Sequence, residues 1–185
     1  VLLANGYDGR SLEFQELMFR WNVKPTFSIR SENQRGVKSN KVDYTQGRNY
    51  AISYYYVSLE LAYQPSASYR FAINGRSTRK NNTLDFGGEV SQSRELGFTS
   101  KINSVNKGSV QVDIKYLNLT FTGQEQSAVA FEMLESLRPG SNATWSITWQ
   151  RNLGKNLQLN LVYSGRKSTL RSAVHNGSME LRAYF

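Results

Sequence analysis

Met179-Glu180-Leu181-Arg182-Ala183-Tyr184-Phe185, the last stretch of the chain, alternates apolar with polar or amphipathic residues. In an extended backbone successive side chains point to opposite faces. Met179, Leu181, Ala183 and Phe185 therefore share one face, and Glu180, Arg182 and Tyr184 share the other. Such a strand separates an apolar from a polar environment.

The same alternation recurs toward the amino terminus. Leu157, Leu159, Leu161 and Tyr163 oppose Gln158, Asn160, Val162 and Ser164. Ala143, Trp145, Ile147 and Trp149 oppose Thr144, Ser146, Thr148 and Gln150, and Asn152-Leu153-Gly154-Lys155-Asn156 joins the two runs as a turn. Val110, Val112, Ile114 and Tyr116 form another apolar face. The parity then slips to Leu117, Leu119 and Phe121, which predicts a bulge or a change of environment. Further alternating runs lie around Leu96–Asn103, Tyr69–Asn74, Tyr55–Tyr63, Leu17–Val23 and Phe27–Ile29. The reading is all-β: about nine antiparallel up-and-down strands of roughly 9–11 residues, the length that crosses a bilayer when tilted. Connections are expected to alternate, short near 22–25, 65–68, 106–108 and 152–156, and long near 34–50, 77–91, 122–141 and 167–177. Short turns at one end and long loops at the other are the habit of transmembrane barrels.

Composition agrees. The 185 residues are only 39% hydrophobic, yet 12% are aromatic, with 11 Tyr and 9 Phe, and mean hydropathy is -0.53. A barrel wall accommodates both numbers, because every second residue faces lipid and aromatic girdles mark the interfaces. No run of about 18 apolar residues is present to make a spanning helix. A net charge of +9 and a pI near 9.8 invite a nucleic-acid reading, but the cations are scattered without a compact block, so no nucleic-acid partner is expected. The absence of Cys removes disulfides and thiolate chemistry.

The closing strand with its terminal Phe185 resembles the last strand of a bacterial outer-membrane β-barrel. The resemblance extends through Ala130-Phe131-Glu132-Met133-Leu134-Glu135-Ser136-Leu137-Arg138-Pro139-Gly140, Thr144-Trp145-Ser146, Asn156-Leu157-Gln158-Leu159, Gly165-Arg166-Lys167-Ser168 and Val174-His175 to the carboxy terminus. These runs look like the tail of large, mostly uncharacterised Bacteroidota outer-membrane proteins. The resemblance implies a surface-exposed transmembrane barrel at the end of a long chain, and it carries no catalytic residues. Residues 1–185 are accordingly expected to be the carboxy-terminal part of a larger barrel without an internal domain boundary. The long loops would be extracellular and the carboxy terminus periplasmic. Met179, Leu181, Ala183, Tyr184 and Phe185 would serve as the signal read by the barrel-assembly machinery.

Ser127 to Leu137 is the one helical patch, an extracellular loop helix capped by Ser127 and stopped by Arg138-Pro139-Gly140. Ala128, Phe131 and Leu134 are its expected contact face, toward the barrel or toward a partner. Arg20, Glu60, Arg70, Lys101, Asp113, Lys115, Glu180 and Arg182 fall on the inward parity, where they would compensate one another or line a selective path. Arg35, Lys38, Lys41 and Arg48, then Arg76, Arg79 and Lys80, then Arg166, Lys167 and Arg171 fall in three outward loops. They are candidates for pairing with lipopolysaccharide phosphates. His175 is the only histidine. Alone it makes no two-His metal site, and with Asp43 or Asp85 it is the only sketch of a hydrolytic group. No cofactor, metal or enzyme activity is expected. Three functions follow: a structural or scaffolding subunit of an envelope complex in contact with outer-membrane lipid and other envelope proteins, a transport channel in the same fold, or a soluble β-barrel ligand-binding domain.

Overall fold

In a computed structural model the described residues are 2–3, 6–43, 46–84, 87–104, 107–135, 137–154, 156–169 and 171–184. A two-residue strand, β1 (Leu2–Leu3), precedes nine long ones: β2 (Gly6–Lys24), β3 (Phe27–Val42), β4 (Tyr50–Ser66), β5 (Tyr69–Asn82), β6 (Val90–Ser104), β7 (Gly108–Thr122), β8 (Gly140–Asn152), β9 (Leu157–Ser168) and β10 (Arg171–Ala183). Each pairs antiparallel with the next in sequence, giving one meander. The sheet is open. β10 pairs with β9 and not with β1 or β2, so the two ends of the strand order carry edges.

Register turns the alternation of single strands into two continuous faces. One row runs Trp21, Ile29, Leu61, Ile73, Phe98, Ile114, Trp145, Gly165 and His175 across all nine long strands. The adjacent row, on the opposite face, runs Arg20, Arg30, Glu60, Asn74, Gly97, Lys115, Thr144, Arg166 and Val174. A one-residue slip anywhere would exchange these faces, and between these rows none occurs.

The strands reach further than the apolar alternation predicts. Residues 34–42 belong to β3, 77–82 to β5 and 171–177 to β10, so the expected long loops shrink to the connections between Val42 and Tyr50, Asn82 and Val90, and Ser168 and Arg171. Only 123–139 remains long. The ladder continues because backbone pairing needs no apolar side chain. The row Gln15, Arg35, Tyr55, Arg79, Gln92 and Thr120 is polar on the very face that is apolar lower down.

The slip at Leu117, Leu119 and Phe121 is a change of environment and not a bulge. β7 keeps unbroken register with β6 and β8, so these residues turn to the polar face. There α1 (Ala128–Leu134) packs on Leu119 and Phe121. Ser127 accepts a hydrogen bond from the Ala130 amide at 3.0 Å as the N-cap, and Glu135 ends the helix in the left-handed region at φ 53°. The helix is shorter than expected and turned differently. Val129, Ala130, Met133 and Leu134 are buried, whereas Ala128 and Phe131 are exposed, Phe131 at 66%. The residues at i, i+1, i+4 and i+5 point at the sheet, so of Ala128, Phe131 and Leu134 only Leu134 packs against it, while Ala128 and Phe131 face away.

Candidate functional site

Three features stand out: the apolar belt, the seat of α1, and the cations at the strand ends. On the belt, large apolar side chains lie open, with Leu17 70%, Ile73 52% and Leu96 60% exposed. A water-facing surface rarely keeps so continuous an apolar band. Aromatic residues gather at its borders, with Trp21, Tyr63, Tyr69 and Trp149 toward the short turns and Tyr55, Tyr116 and Tyr163 toward the other end.

The seat of α1 lies on the polar face, at the end of the strands away from the short turns and beyond the belt. Tyr50 and Ile52 of β4 and Leu119 of β7 form two small clusters with Val129, Met133, Ala130 and Leu134, and Phe121 packs against both. Two lysines from the sheet tether the helix. The Lys38 ammonium pairs with Glu132. The Lys80 ammonium donates to the Met133 carbonyl at 3.1 Å and pairs with Glu135 at 2.5 Å. The hydrogen bond to Glu132 holds the Lys38 pKa above the ordinary lysine value, and burial pushes the Tyr50 hydroxyl up.

Below α1 the expected inward charges do face one side, largely in compensated sets. Arg70 pairs with Glu60 at 2.9 Å, Lys115 with Glu95 at 3.2 Å and Arg182 with Glu180 at 2.9 Å. Asp113 accepts from Thr99 at 2.8 Å and Gln111 at 2.9 Å. Glu32 takes Arg30 at 3.0 Å and the Tyr56 hydroxyl, whose ring carries the Arg76 guanidinium at 4.4 Å.

The cations expected on loops stand mainly on strand extensions and divide between the faces. Lys38, Arg76 and Lys80 turn to the polar face and have internal partners. Arg35 donates to Gln15 at 2.7 Å and Arg79 to Asn81 at 3.5 Å on the other face, which Lys41 shares. Arg48 ends a short 3-10 turn, Gln46–Arg48, where its carbonyl accepts from Asn40 at 2.8 Å. Arg166, Lys167 and Arg171 gather at the β9–β10 hairpin.

At the carboxy end, Met179, Leu181 and Ala183 continue the belt, and Tyr184 donates to Gln158 at 3.3 Å on the polar side. Phe185 lies outside the described residues, as does Asp85. His175 is not joined to Asp43. Its ring nitrogen Nδ1 shares a 2.8 Å hydrogen bond with the Tyr163 hydroxyl on the belt face, and Asp43 instead accepts from the Tyr7 amide at 3.3 Å. Among the described residues no three His, Asp or Glu side chains converge as a metal site.

Sequence patterning missed the buried asparagines. Asn40, Asn82 and Asn142 fasten the loop-side strand ends, Asn142 donating to the Arg138 carbonyl at 2.8 Å and the Gly140 carbonyl at 3.1 Å. Their only sequence signal is an Asn on the polar parity near a strand end. Comparison of the chain with protein-family models, curated proteins and solved structures gives no match.

Proposed function

We propose that this sheet is part of the wall of a bacterial outer-membrane β-barrel and acts as a structural or scaffolding subunit of an envelope complex. The carrying observation is the row from Trp21 to His175, apolar on seven of nine strands with Gly165 and His175 as the exceptions, backed by a row charged or polar on seven of nine. On β4 the belt from Tyr55 to Tyr63 extends roughly 26 Å along the strand, which at a tilt of about 40° is about 20 Å of height, most of the apolar band of about 25 Å on barrels of this class. Among the described residues no helix is long and apolar enough to span a membrane.

Lipid leaves no backbone group unpaired, so this reading requires the edges of β2 and β10 to gain partners. Further strands of a larger barrel would supply them, in keeping with the resemblance to Bacteroidota outer-membrane proteins. The structural role is favoured over an open channel because α1 and its lysine tethers occupy the polar face of β3 to β7. A soluble ligand-binding domain would have to tolerate the open belt in water. Expression of the full-length gene, followed by membrane fractionation and a comparison of boiled with unboiled gel mobility, tests the reading. Recovery in the soluble fraction without detergent would overturn it, and steady conductance in planar bilayers would favour the channel.

A further inference from the structure

We infer that the cleft at the β8–β9–β10 end is a binding site for a phosphomonoester group. The cleft measures about 140 Å³, and its lining includes Arg138, Arg166 and Arg171 with Thr144 and Ser168, while Lys167 borders it from the other face of β9. One water needs roughly 10–15 Å³ on a comparable measure, so a tetrahedral anion has room. No carboxylate lines it. The six ion pairs among the described residues all lie elsewhere, and none involves these four cations.

Three arginines thus border one cleft without a carboxylate among its lining residues, and the backbone around them is fixed. The segment carrying Arg138 is fixed by the buried Asn142, which takes the Arg138 and Gly140 carbonyls. The hairpin between Arg166 and Arg171 is fixed to β8 through Thr169, whose amide donates to the Ser141 carbonyl at 3.0 Å and whose hydroxyl accepts from the Ser141 amide at 3.2 Å. Register between β9 and β10 breaks between Arg171 and Val174, the kind of irregularity that re-aims side chains. A phosphomonoester carries about -1.5 to -2 charge at neutral pH and offers three acceptor oxygens. It matches this set better than a carboxylate, because several guanidinium forks can take separate oxygens. The group could belong to a lipid headgroup or to a soluble phosphate. The site stands on its own geometry, whether or not the sheet lies in a membrane.

The test uses the full chain in zwitterionic detergent at low ionic strength, titrated calorimetrically with inorganic phosphate. A parallel arm measures retention of phosphatidic acid from phosphatidylcholine nanodiscs. Arg138→Gln with Arg171→Gln is the informative variant, since both side chains are exposed and neither is replaced inside a packed core. Lys107→Gln, at the opposite end, is the control. Saturable binding in either arm, weakened about tenfold or more by the double variant and unchanged by the control, is the expected result. Binding of free phosphate assigns a soluble source, and binding of phosphatidic acid alone assigns a headgroup. Should the double variant misfold, Arg138→Gln alone must still weaken binding measurably. Absence of saturable binding in both arms, or equal binding by the variants, would overturn the proposal.

Discussion

The rings of Trp145 on β8 and His175 on β10 lie 5.6 Å apart with a whole strand between them. The intervening residue in the row is Gly165. A Cβ built there would stand 2.4 Å from the Trp145 indole. The missing side chain is thus the slot through which the indole crosses β9 toward His175, itself held by the Tyr163 hydroxyl at 2.8 Å.

Gly165→Ala is therefore expected to destabilise the sheet by about 1–3 kcal/mol, the usual penalty for overpacking. Combining it with Trp145→Ala should relieve part of that loss. Denaturant unfolding of the single and double variants measures the coupling. Strict additivity would show that the indole does not occupy the slot.

The membrane reading makes an asymmetric prediction on β9. Leu161 sits in the belt between Trp149 and Met179, while Asn160 faces Gln150 and Glu180 on the polar side. Leu161→Arg should cost about 2–4 kcal/mol in lipid, as for cations near the middle of a barrel's lipid face. Asn160→Arg should be far milder, because Glu180 is at hand. Refolding into vesicles with urea titration decides it, and equal losses would refute the assignment of faces.

On α1, Met133 is 1% exposed and Phe131 66%. Met133→Ala is expected to lose about 2–5 kcal/mol locally through transfer and cavity terms, and Phe131→Ala to stay within about 0.5 kcal/mol. Hydrogen exchange across 123–139 reads the local effect. The reverse ranking would restore Phe131 as the contact residue.

Removing the helix cap by Ser127→Ala should weaken the same segment by about 0.5–2 kcal/mol. Faster limited proteolysis between β7 and β8, with the rest of the sheet still resistant, is the expected outcome.

Lys38 lies beyond the belt, and its pKa is raised from the ordinary 10.5, first by its hydrogen bond to Glu132. A raised lysine value stabilises the folded state fully below the unfolded value and ceases to as pH climbs through the folded one. The tether should hold across neutral pH and loosen only in alkali above the ordinary lysine range. Protease sensitivity of 123–139 in the wild type should rise there, and Lys38→Gln should lack that step.

Local pattern was enough to identify the strands, their two faces and the single helical segment, because side-chain alternation is a property of the extended backbone alone. That Glu60, Arg70, Asp113, Lys115, Glu180 and Arg182 share one face was legible for the same reason. Strand ends were not. Past the belt both faces are polar, as at Gln34, Arg35, Arg79 and Gln92, and only pairing with a neighbouring strand keeps the chain extended. Tertiary structure also chose the helix face, burying Met133 in place of Phe131, because Tyr50 and Ile52 come from β4, a strand distant in sequence. It alone brought Arg138, Arg166 and Arg171 to one cleft and laid Trp145 across Gly165. Such relationships depend on which strand becomes whose neighbour and at what register, and backbone hydrogen bonds between strands set both.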